Sequence, residues 1–277
     1  KFDSKLLDSL KRSDTKKSLS YHINKSGFNA KKVSKKQIKF DIKNFKFFIE
    51  PHIEQGPVLE KKKIPLGIVT GIRGSFRFRD AFCKGEYLHS GATPYDYRKD
   101  SVVAVSNLVN EMNIFWKAQL KKNKDLVITF GQFFTDSEEH SFAKSSGLVN
   151  FCIDVRSNSK NTLEYTKKIL IKKIKLIEKQ TNTKFFLGKE TNSEPALMDK
   201  KLIKKFQIYS KMISIKFETM ASGAGHDASV FANHGIPSLM LFIRNKNGSH
   251  NPKEYMSIKN FGKVFKVLKG IIKDNYI

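Results

Sequence analysis

The stretch FKFFIEPHIEQGP (residues 45–57) decides the fold, because an apolar run changes there into polar residues, glycine and proline. Residues 45–49 are apolar except for Lys46 and rich in phenylalanine, which is typical of a buried strand. His52 and the residues after it would then lie at a strand end, where open α/β sheets place their binding sites. A second strand is predicted at residues 67–71. This part of the sequence therefore indicates an α/β layer.

The middle of the chain, residues 75–187, predicts a unit with its own order of elements. Apolar residues recur with a helical period from Val105 to Trp116 and again from Leu163 to Ile177. Short apolar runs predict strands around these helices, at residues 76–87, 126–130, 148–155 and 184–187. The resulting order, β-α-β-β-α-β, is the split arrangement of a ferredoxin-like sandwich.

The flanking parts of the chain predict the rest of the α/β domain. Upstream, short helices are predicted around residues 4–10 and 18–25. Downstream of Pro195, the pattern predicts three helices, at residues 202–213, 228–232 and 258–272, and a buried strand at residues 238–243. We therefore predict an α/β domain in two parts, residues 1–74 and 188–277, with the ferredoxin-like unit at residues 75–187 inserted between them.

The charge of the chain raises nucleic acid as a partner, because 52 basic and 26 acidic residues give a net charge of +26. The distribution argues against it, since 45 of the basic residues are lysines spread along the chain and arginine is scarce. A Lys-rich solvated surface is the simpler interpretation, so we expect no nucleic-acid partner. No apolar run reaches the roughly 18–20 residues of a membrane span, so no membrane partner is expected. Two cysteines without a CxxC pattern fit a cytoplasmic protein.

Two histidines are candidate metal ligands. His52 follows an apolar strand, and a neutral imidazole on a rigid strand end is a good zinc ligand. His250 lies in the loop 248–252, which a glycine and a proline constrain. Taken alone, a histidine such as His52 is more often a structural residue, and one such as His250 more often belongs to an ordinary turn. The Gly-rich segment 222–228 lacks the lysine of a P-loop, and is typical either of close approach to a ligand or of a tight corner.

Two further residues are candidates for contacts to a substrate. His89 precedes a predicted helix and could donate to a developing oxyanion. Arg156 ends a predicted strand. Six of the seven arginines lie in or beside the motif segments, and a retained arginine indicates a place where a planar fork grips a carboxylate.

Six strings occur along the chain in the order typical of one family: HIEQGPVLE (52–60), VTGIRG (69–74), HSGATP (89–94) with Arg98 and Asp100, DVRS (154–157), SGAGHDA (222–228) and GSHNP (248–252). Together they resemble the hydantoinase/carbamoylase amidohydrolases. That family includes N-carbamoyl-L-amino-acid hydrolase, allantoate amidohydrolase and β-alanine synthase, and it belongs to the aminoacylase-like dinuclear metallopeptidases. The resemblance covers nearly the whole chain.

The resemblance implies a zinc-peptidase-like α/β catalytic domain with an inserted ferredoxin-like lid that also forms a homodimer. It implies two divalent metal ions per subunit, usually zinc, with manganese, cobalt or nickel as alternatives. It also implies roles for six residues: His52 and His250 as metal ligands, Gln55 and Gly248 near the substrate, Arg156 as the clamp on the substrate carboxylate, and His89 as the lid residue that polarises the reacting carbonyl.

The sequence departs from the family pattern in two respects. The family's other ligands, a His-x-Asp pair with a bridging Asp and then a Glu-Glu pair, lie upstream of the motifs found here. We therefore expect that an N-terminal third precedes this chain, that the catalytic domain is incomplete, and that the chain alone is inactive. In addition, Ala143 stands where several relatives have an asparagine that contacts substrate.

The predicted function is a metal-dependent hydrolase of linear amide or carbamoyl C–N bonds. The resemblance implies that it acts on an N-carbamoyl-L-amino acid or a ureido acid, which is a small substrate that carries a carboxylate. The alternative hypothesis is a catalytically inactive relative that acts as a small-carboxylate binding protein.

Overall fold

A computed structural model describes residues 5–34 and 41–274, which form two compact units divided between Lys46 and Phe47. The first unit contains the helices α1 (Leu6–Ser9), α2 (Leu19–Lys25) and α3 (Ala30–Ser34). The hydroxyl of Ser18 accepts a hydrogen bond from the Tyr21 N–H and so caps the start of α2. Both predicted helices are present, although residue 4 lies outside the described residues, and the short α3 was not predicted.

The second unit contains all the motifs. Its elements in chain order are β1 (Phe48–Ile53), α4 (Val58–Lys62), β2 (Leu66–Ile72), β3 (Gly74–Lys84), α5 (Ser101–Lys121), β4 (Val127–Thr135), β5 (Leu148–Ser157), α6 (Lys160–Thr181), β6 (Lys184–Phe186), β7 (Glu190–Ser193), β8 (Ala196–Leu197), α7 (Lys200–Met212), β9 (Phe217–Ser222), α8 (Asp227–Asn233), β10 (Ser238–Ile243), β11 (Asn245–Lys246), β12 (Tyr255–Met256) and α9 (Ile258–Lys273).

A mixed sheet forms the α/β layer, with strand order β1-β10-β2-β8 and with β9 also beside β2. Strand β1 runs parallel to β10, and β10 runs antiparallel to β2. The first predicted strand was placed too early: β1 begins at Phe48, where pairing with Ser238 of β10 begins. Strand β9 was not predicted, because its sequence, FETMAS, contains no continuous apolar run.

A separate antiparallel sheet, called the lid sheet here, has the order β4-β5-β3-β6, and β7 pairs with the first half of β3. Its chain order, β3-α5-β4-β5-α6-β6, is the predicted β-α-β-β-α-β arrangement. Strand β7 extends the lid sheet to Ser193, beyond the predicted end at residue 187. The fold class is therefore confirmed, a mixed α/β fold with a separate antiparallel lid-like sheet, whereas the exact boundaries 75–187 stay a prediction.

Two apolar cores hold the unit together. One includes Phe206 and packs α7 and α9 against the mixed sheet. The other includes Phe151 and packs α5 and α6 against the lid sheet. The chain passes from the first sheet to the second at Gly74, where an added Cβ would lie 2.5 Å from the Ser193 carbonyl oxygen. Among the described helices, none is both long and apolar enough to cross a membrane.

Candidate metal and substrate site

Three side chains meet on one face of the mixed sheet, beside the end of β1. Glu50 and His52 are two residues apart on β1, so the strand points both to the same face. His226 precedes α8, and its ring lies 4.5 Å from the His52 ring, centroid to centroid. The potential ligand atoms of these three residues all lie within 4.8 Å of one another. We call this group the strand-end cluster.

The hydrogen bonds of the cluster leave its ring nitrogens suited to a metal. Nδ1 of His52 donates to the Ile53 carbonyl oxygen at 2.8 Å, which leaves the Nε2 lone pair free. The side chain of His226 is only 3% exposed, and its Nε2 has no hydrogen-bond partner. Burial, and then the nearby His52, lowers the pKa of His226 to about 4, so its imidazole is neutral at pH 7.

Glu50 completes the donor set and also holds the loop of His226. One of its carboxylate oxygens accepts a hydrogen bond from the Ala228 N–H at 2.7 Å, and the other lies 3.7 Å from Nδ1 of His226. Imidazole and carboxylate groups are ligand types that zinc prefers, and the cluster offers two of the first and one of the second. An orphaned, buried imidazole nitrogen is explained by such an ion, so the cluster fits a divalent metal.

Gln55, in the loop after β1, lies beside His250, in the loop between β11 and β12. The Gln55 side-chain amide donates to the Ser249 hydroxyl at 3.0 Å, and its Nε2 lies 3.4 Å from Nε2 of His250. Glu254 accepts hydrogen bonds from Ser249 and from the His250 N–H, which lowers the pKa of the Glu254 carboxyl. The carbonyl of Gly248 accepts a bond from Asn245.

The structure therefore places His250 beside Gln55 and groups His52 with Glu50 and His226. The metal roles of His52 and His250, like the substrate roles of Gln55 and Gly248, stay predictions. Sequence analysis missed Glu50 and His226 as candidates. The i, i+2 spacing of Glu50 and His52 was the available signal, whereas the approach of His226 depends on how α8 packs on β1.

Glu54, in the motif at residues 52–60, has a structural role. Glu54 is buried, and its carboxylate accepts hydrogen bonds from the N–H groups of Val58 and Leu59. A negative side chain at the first turn of α4 offsets the helix dipole. Glu54 therefore caps this helix, and the next residue, Gln55, has a positive φ of 60° and donates its N–H to Asn245.

Arg156 lies on the lid sheet and reaches toward the mixed sheet. Its Nε and one terminal nitrogen donate to Asp154, and its other terminal nitrogen donates to the Gly223 carbonyl oxygen at 2.6 Å. Gly223 belongs to the loop that leads to His226. Gly223 and Gln55 also line one cleft of about 420 Å³, together with Arg73. The predicted carboxylate clamp thus contacts the loop of the strand-end cluster.

His89 lies apart from these groups, in the loop between β3 and α5. Its Nδ1 accepts hydrogen bonds from the N–H groups of Gly91 and Ala92, so the ring proton of the neutral form is on Nε2. An exposed Nε2–H is a suitable donor to a substrate oxygen. The Ser90 N–H donates to the Ala143 carbonyl, which places Ala143 beside this loop.

Comparisons with known proteins identify a family. A profile of peptidase family M20/M25/M40 matches residues 24–274. Allantoate amidohydrolase of Escherichia coli strain K12 is 32% identical over 226 residues, which make up 81% of this chain and 53% of that protein. N-carbamoyl-L-amino-acid amidohydrolase of Pseudomonas sp. strain NS671 is 34% identical over 239 residues, 84% of this chain and 55% of that protein. The chain spans about half the length of these curated relatives.

Solved structures share the fold. A hydantoinase/carbamoylase family amidase from Burkholderia phymatum gives a TM-score of 0.79 at 23% identity, over 98% of this chain and 64% of that one. One from Burkholderia multivorans gives a TM-score of 0.72 at 25% identity, over 79% and 52%. AtUAH in complex with glyoxylate gives a TM-score of 0.64 at 26% identity, over 96% and 63%.

Proposed function

The chain belongs to peptidase family M20/M25/M40, among its hydantoinase/carbamoylase amidohydrolases, and from that membership we propose that it is part of a metal-dependent hydrolase of linear C–N bonds. The proposed substrate is an N-carbamoyl-L-amino acid or ureido acid. The named activities of the two curated relatives and the glyoxylate bound to AtUAH support a small substrate that carries a carboxylate.

The observation that carries the proposal is the short distance along the chain between His226 of the strand-end cluster and Gly223, the residue that Arg156 contacts. Arg156 donates to Gly223, and His226 follows three residues later in the same loop. Three residues span at most about 11 Å. A small ureido acid could therefore place its carboxylate at Arg156 while its carbamoyl group lies near His52 and His226.

The side chains have separate roles in this proposal. Arg156 binds the carboxylate and so orients the far end of the substrate. His89 donates its Nε2–H to the reacting carbonyl oxygen, and Gln55 contributes a further amide donor. A divalent metal, when bound, supplies Lewis-acid polarisation and an activated water. His52, with Glu50 and His226, is proposed to hold one such ion, and His250 is proposed as a ligand of a second.

Two further proposals concern the state of the protein. We propose that the lid sheet forms a homodimer, which would allow His89 of one subunit to act in the site of the other. Cys83 and Cys152 are both free thiols, which supports a cytoplasmic location.

The test is release of ammonia from N-carbamoyl-L-amino acids and from allantoate, with zinc or manganese added to the purified whole protein of which this chain is proposed to be a part. We expect hydrolysis that His52→Ala abolishes and that His234→Ala, an exposed histidine at the end of α8, leaves intact. Binding of the same compounds without turnover would favour the alternative, a small-carboxylate binding protein. Absence of both would refute the proposed function.

A further inference from the structure

Two arginines share one carboxylate on the lid sheet. Arg77 of β3 and Asp154 of β5 are direct cross-strand partners, and Arg156 is two residues further along β5 on the same face. Nε of Arg77 lies 3.2 Å from a carboxylate oxygen of Asp154. The same oxygen accepts a 2.6 Å hydrogen bond from Arg156. All three side chains are between 25% and 34% exposed, so the group is open to solvent.

Three of the five N–H donors of Arg156 are already in use. Its Nε and adjacent terminal nitrogen, which form one edge of the guanidinium, donate to Asp154. The remaining terminal nitrogen donates to the Gly223 carbonyl oxygen. A substrate carboxylate that binds this Nε edge through two parallel N–H bonds must therefore displace Asp154.

Asp154 is the acceptor that can move without losing its counter-ion. Gly223 offers a neutral carbonyl oxygen that would be left without its donor. Asp154, in contrast, has a second cation within ion-pair distance in Arg77. The group holds two positive charges and one negative charge, so one further anion would make it neutral. Arg77 can stay paired with Asp154 while Arg156 binds the added anion.

We propose that Asp154 is an internal carboxylate that occupies the Arg156 fork in the ligand-free protein and competes with the substrate carboxylate. Arg77 is then a positioning residue, because it holds Asp154 away from Arg156 when the substrate binds. This inference rests on the proposed role of Arg156 as the carboxylate clamp. It predicts that Asp154 and Arg77 affect substrate affinity in opposite directions.

The experiment is a calorimetric titration with N-carbamoylglycine and with methylurea, the analogue that lacks the carboxylate. Asp154→Asn should tighten N-carbamoylglycine binding about two- to fivefold, because the competing charge is gone. Arg77→Gln should weaken it by a similar factor, because Asp154 then has only Arg156. This range corresponds to about 0.4–1 kcal/mol, which is typical of a solvent-exposed ion pair. Methylurea binding should not change.

Two variants serve as controls. Arg77→Lys keeps a cation beside Asp154 and should restore most of the wild-type affinity. Arg79→Gln removes an exposed arginine from the same strand and should have no effect. Loss of folding cannot explain tighter binding by Asp154→Asn, so the opposite signs separate competition from a structural role.

The outcomes separate the two proposals. If the wild type prefers N-carbamoylglycine to methylurea, but Asp154→Asn weakens or does not change this preference, the competition between Asp154 and substrate is refuted and the clamp stands. If the wild type shows no preference for the carboxylate compound, Arg156 is not a clamp, and both the proposed function and this inference fail.

Discussion

The strand-end cluster and the arginines of the lid sheet are both polar groups of the proposed site, but they are stabilised in different ways. His226 is almost fully buried, and one of its ring nitrogens has no partner. Arg156 is one-third exposed, and each of its three nitrogens has an acceptor. A buried, unpaired nitrogen is costly unless something binds it, whereas a paired and solvated guanidinium exchanges partners at little cost. The first region therefore suits a tightly held ion, and the second suits a ligand that comes and goes.

The largest expected effect concerns metal binding by the strand-end cluster. We expect the purified protein to bind zinc there and His226→Ala to lower that affinity by at least about 100-fold. A site with three protein ligands would keep only two, and even loss of an outer-shell partner costs about 10- to 100-fold. Competition with a chromophoric chelator measures the change directly, without any assay of activity.

The matched control for this experiment is His234→Ala. His234 is exposed and lies at the other end of α8, and its Nδ1 is bonded to the Val230 carbonyl. This variant should bind zinc as the wild type does. Equal zinc affinity in all three proteins would show that the buried nitrogen of His226 has no metal partner, and the contrast between the two regions would be lost.

The second effect concerns Arg156→Lys in the lid region. A lysine offers a point charge in place of two parallel donors, and a hydrogen bond to a charged group contributes about 1.5–3 kcal/mol. Because Arg156 is partly exposed, we expect the lower end of that range, which is a loss of about tenfold in affinity for N-carbamoylglycine. Binding of methylurea should be unaffected. An equal loss for both compounds would mean that Arg156 only supports the strand.

The fold was predictable where the pattern of apolar residues in the sequence shows which side of an element is buried. The two helices that pack on the lid sheet were predicted from their apolar faces, and strand β10 was predicted from its apolar run. All six residues of β10 are buried in the structure. Strand β9 was missed because its neighbours in the sheet, and not its own sequence, make it a strand. The first strand was placed three residues early because apolar character begins at Phe45, before pairing does.

The site was predictable only in part. The order of the motifs predicted His52, Gln55 and Arg156 as site residues, and all three lie in the second compact unit. The pairing of His226 with His52 depends on a contact between residues 174 positions apart, which no local pattern encodes. The same holds for the bond from Arg156 to Gly223, since it joins two different sheets.

A third effect tests how firmly the two regions are joined. Gly74 begins β3, and a Cβ there would overlap the backbone of Ser193 and Pro195. Because backbone atoms cannot simply rotate away, Gly74→Ala should destabilise the protein by about 1–3 kcal/mol. Thermal unfolding should show a drop of a few degrees. As a control, Gly262→Ala in α9, where the added Cβ meets no atom within 4 Å, should be neutral or slightly stabilising.

The smallest expected effect concerns an ion pair beside the mixed sheet. It tests whether a partly exposed pair contributes as little to stability there as on the lid sheet. Glu60 of α4 accepts a 2.6 Å hydrogen bond from Arg244, which directly follows β10. This bond lowers the pKa of Glu60 below its ordinary value of 4.5. A carboxyl with a lowered pKa in the folded state stabilises the protein above the unfolded-state pKa, and this contribution is lost as the pH falls through the folded-state pKa.

Glu60→Gln should therefore lower the melting temperature by roughly 1–2 °C at pH 7, because the pair is partly exposed. The difference from the wild type should shrink as the pH falls below 4.5 and should vanish once the pH is below the lowered folded-state pKa of Glu60. Glu138→Gln, an exposed glutamate in the loop after β4, should show no such difference at either pH. If Glu60→Gln had a large effect that persisted at low pH, the side chain would contribute through packing. The Glu60–Arg244 pair beside the mixed sheet would then differ from the exposed pairs of Asp154 on the lid sheet, which are expected to exchange partners.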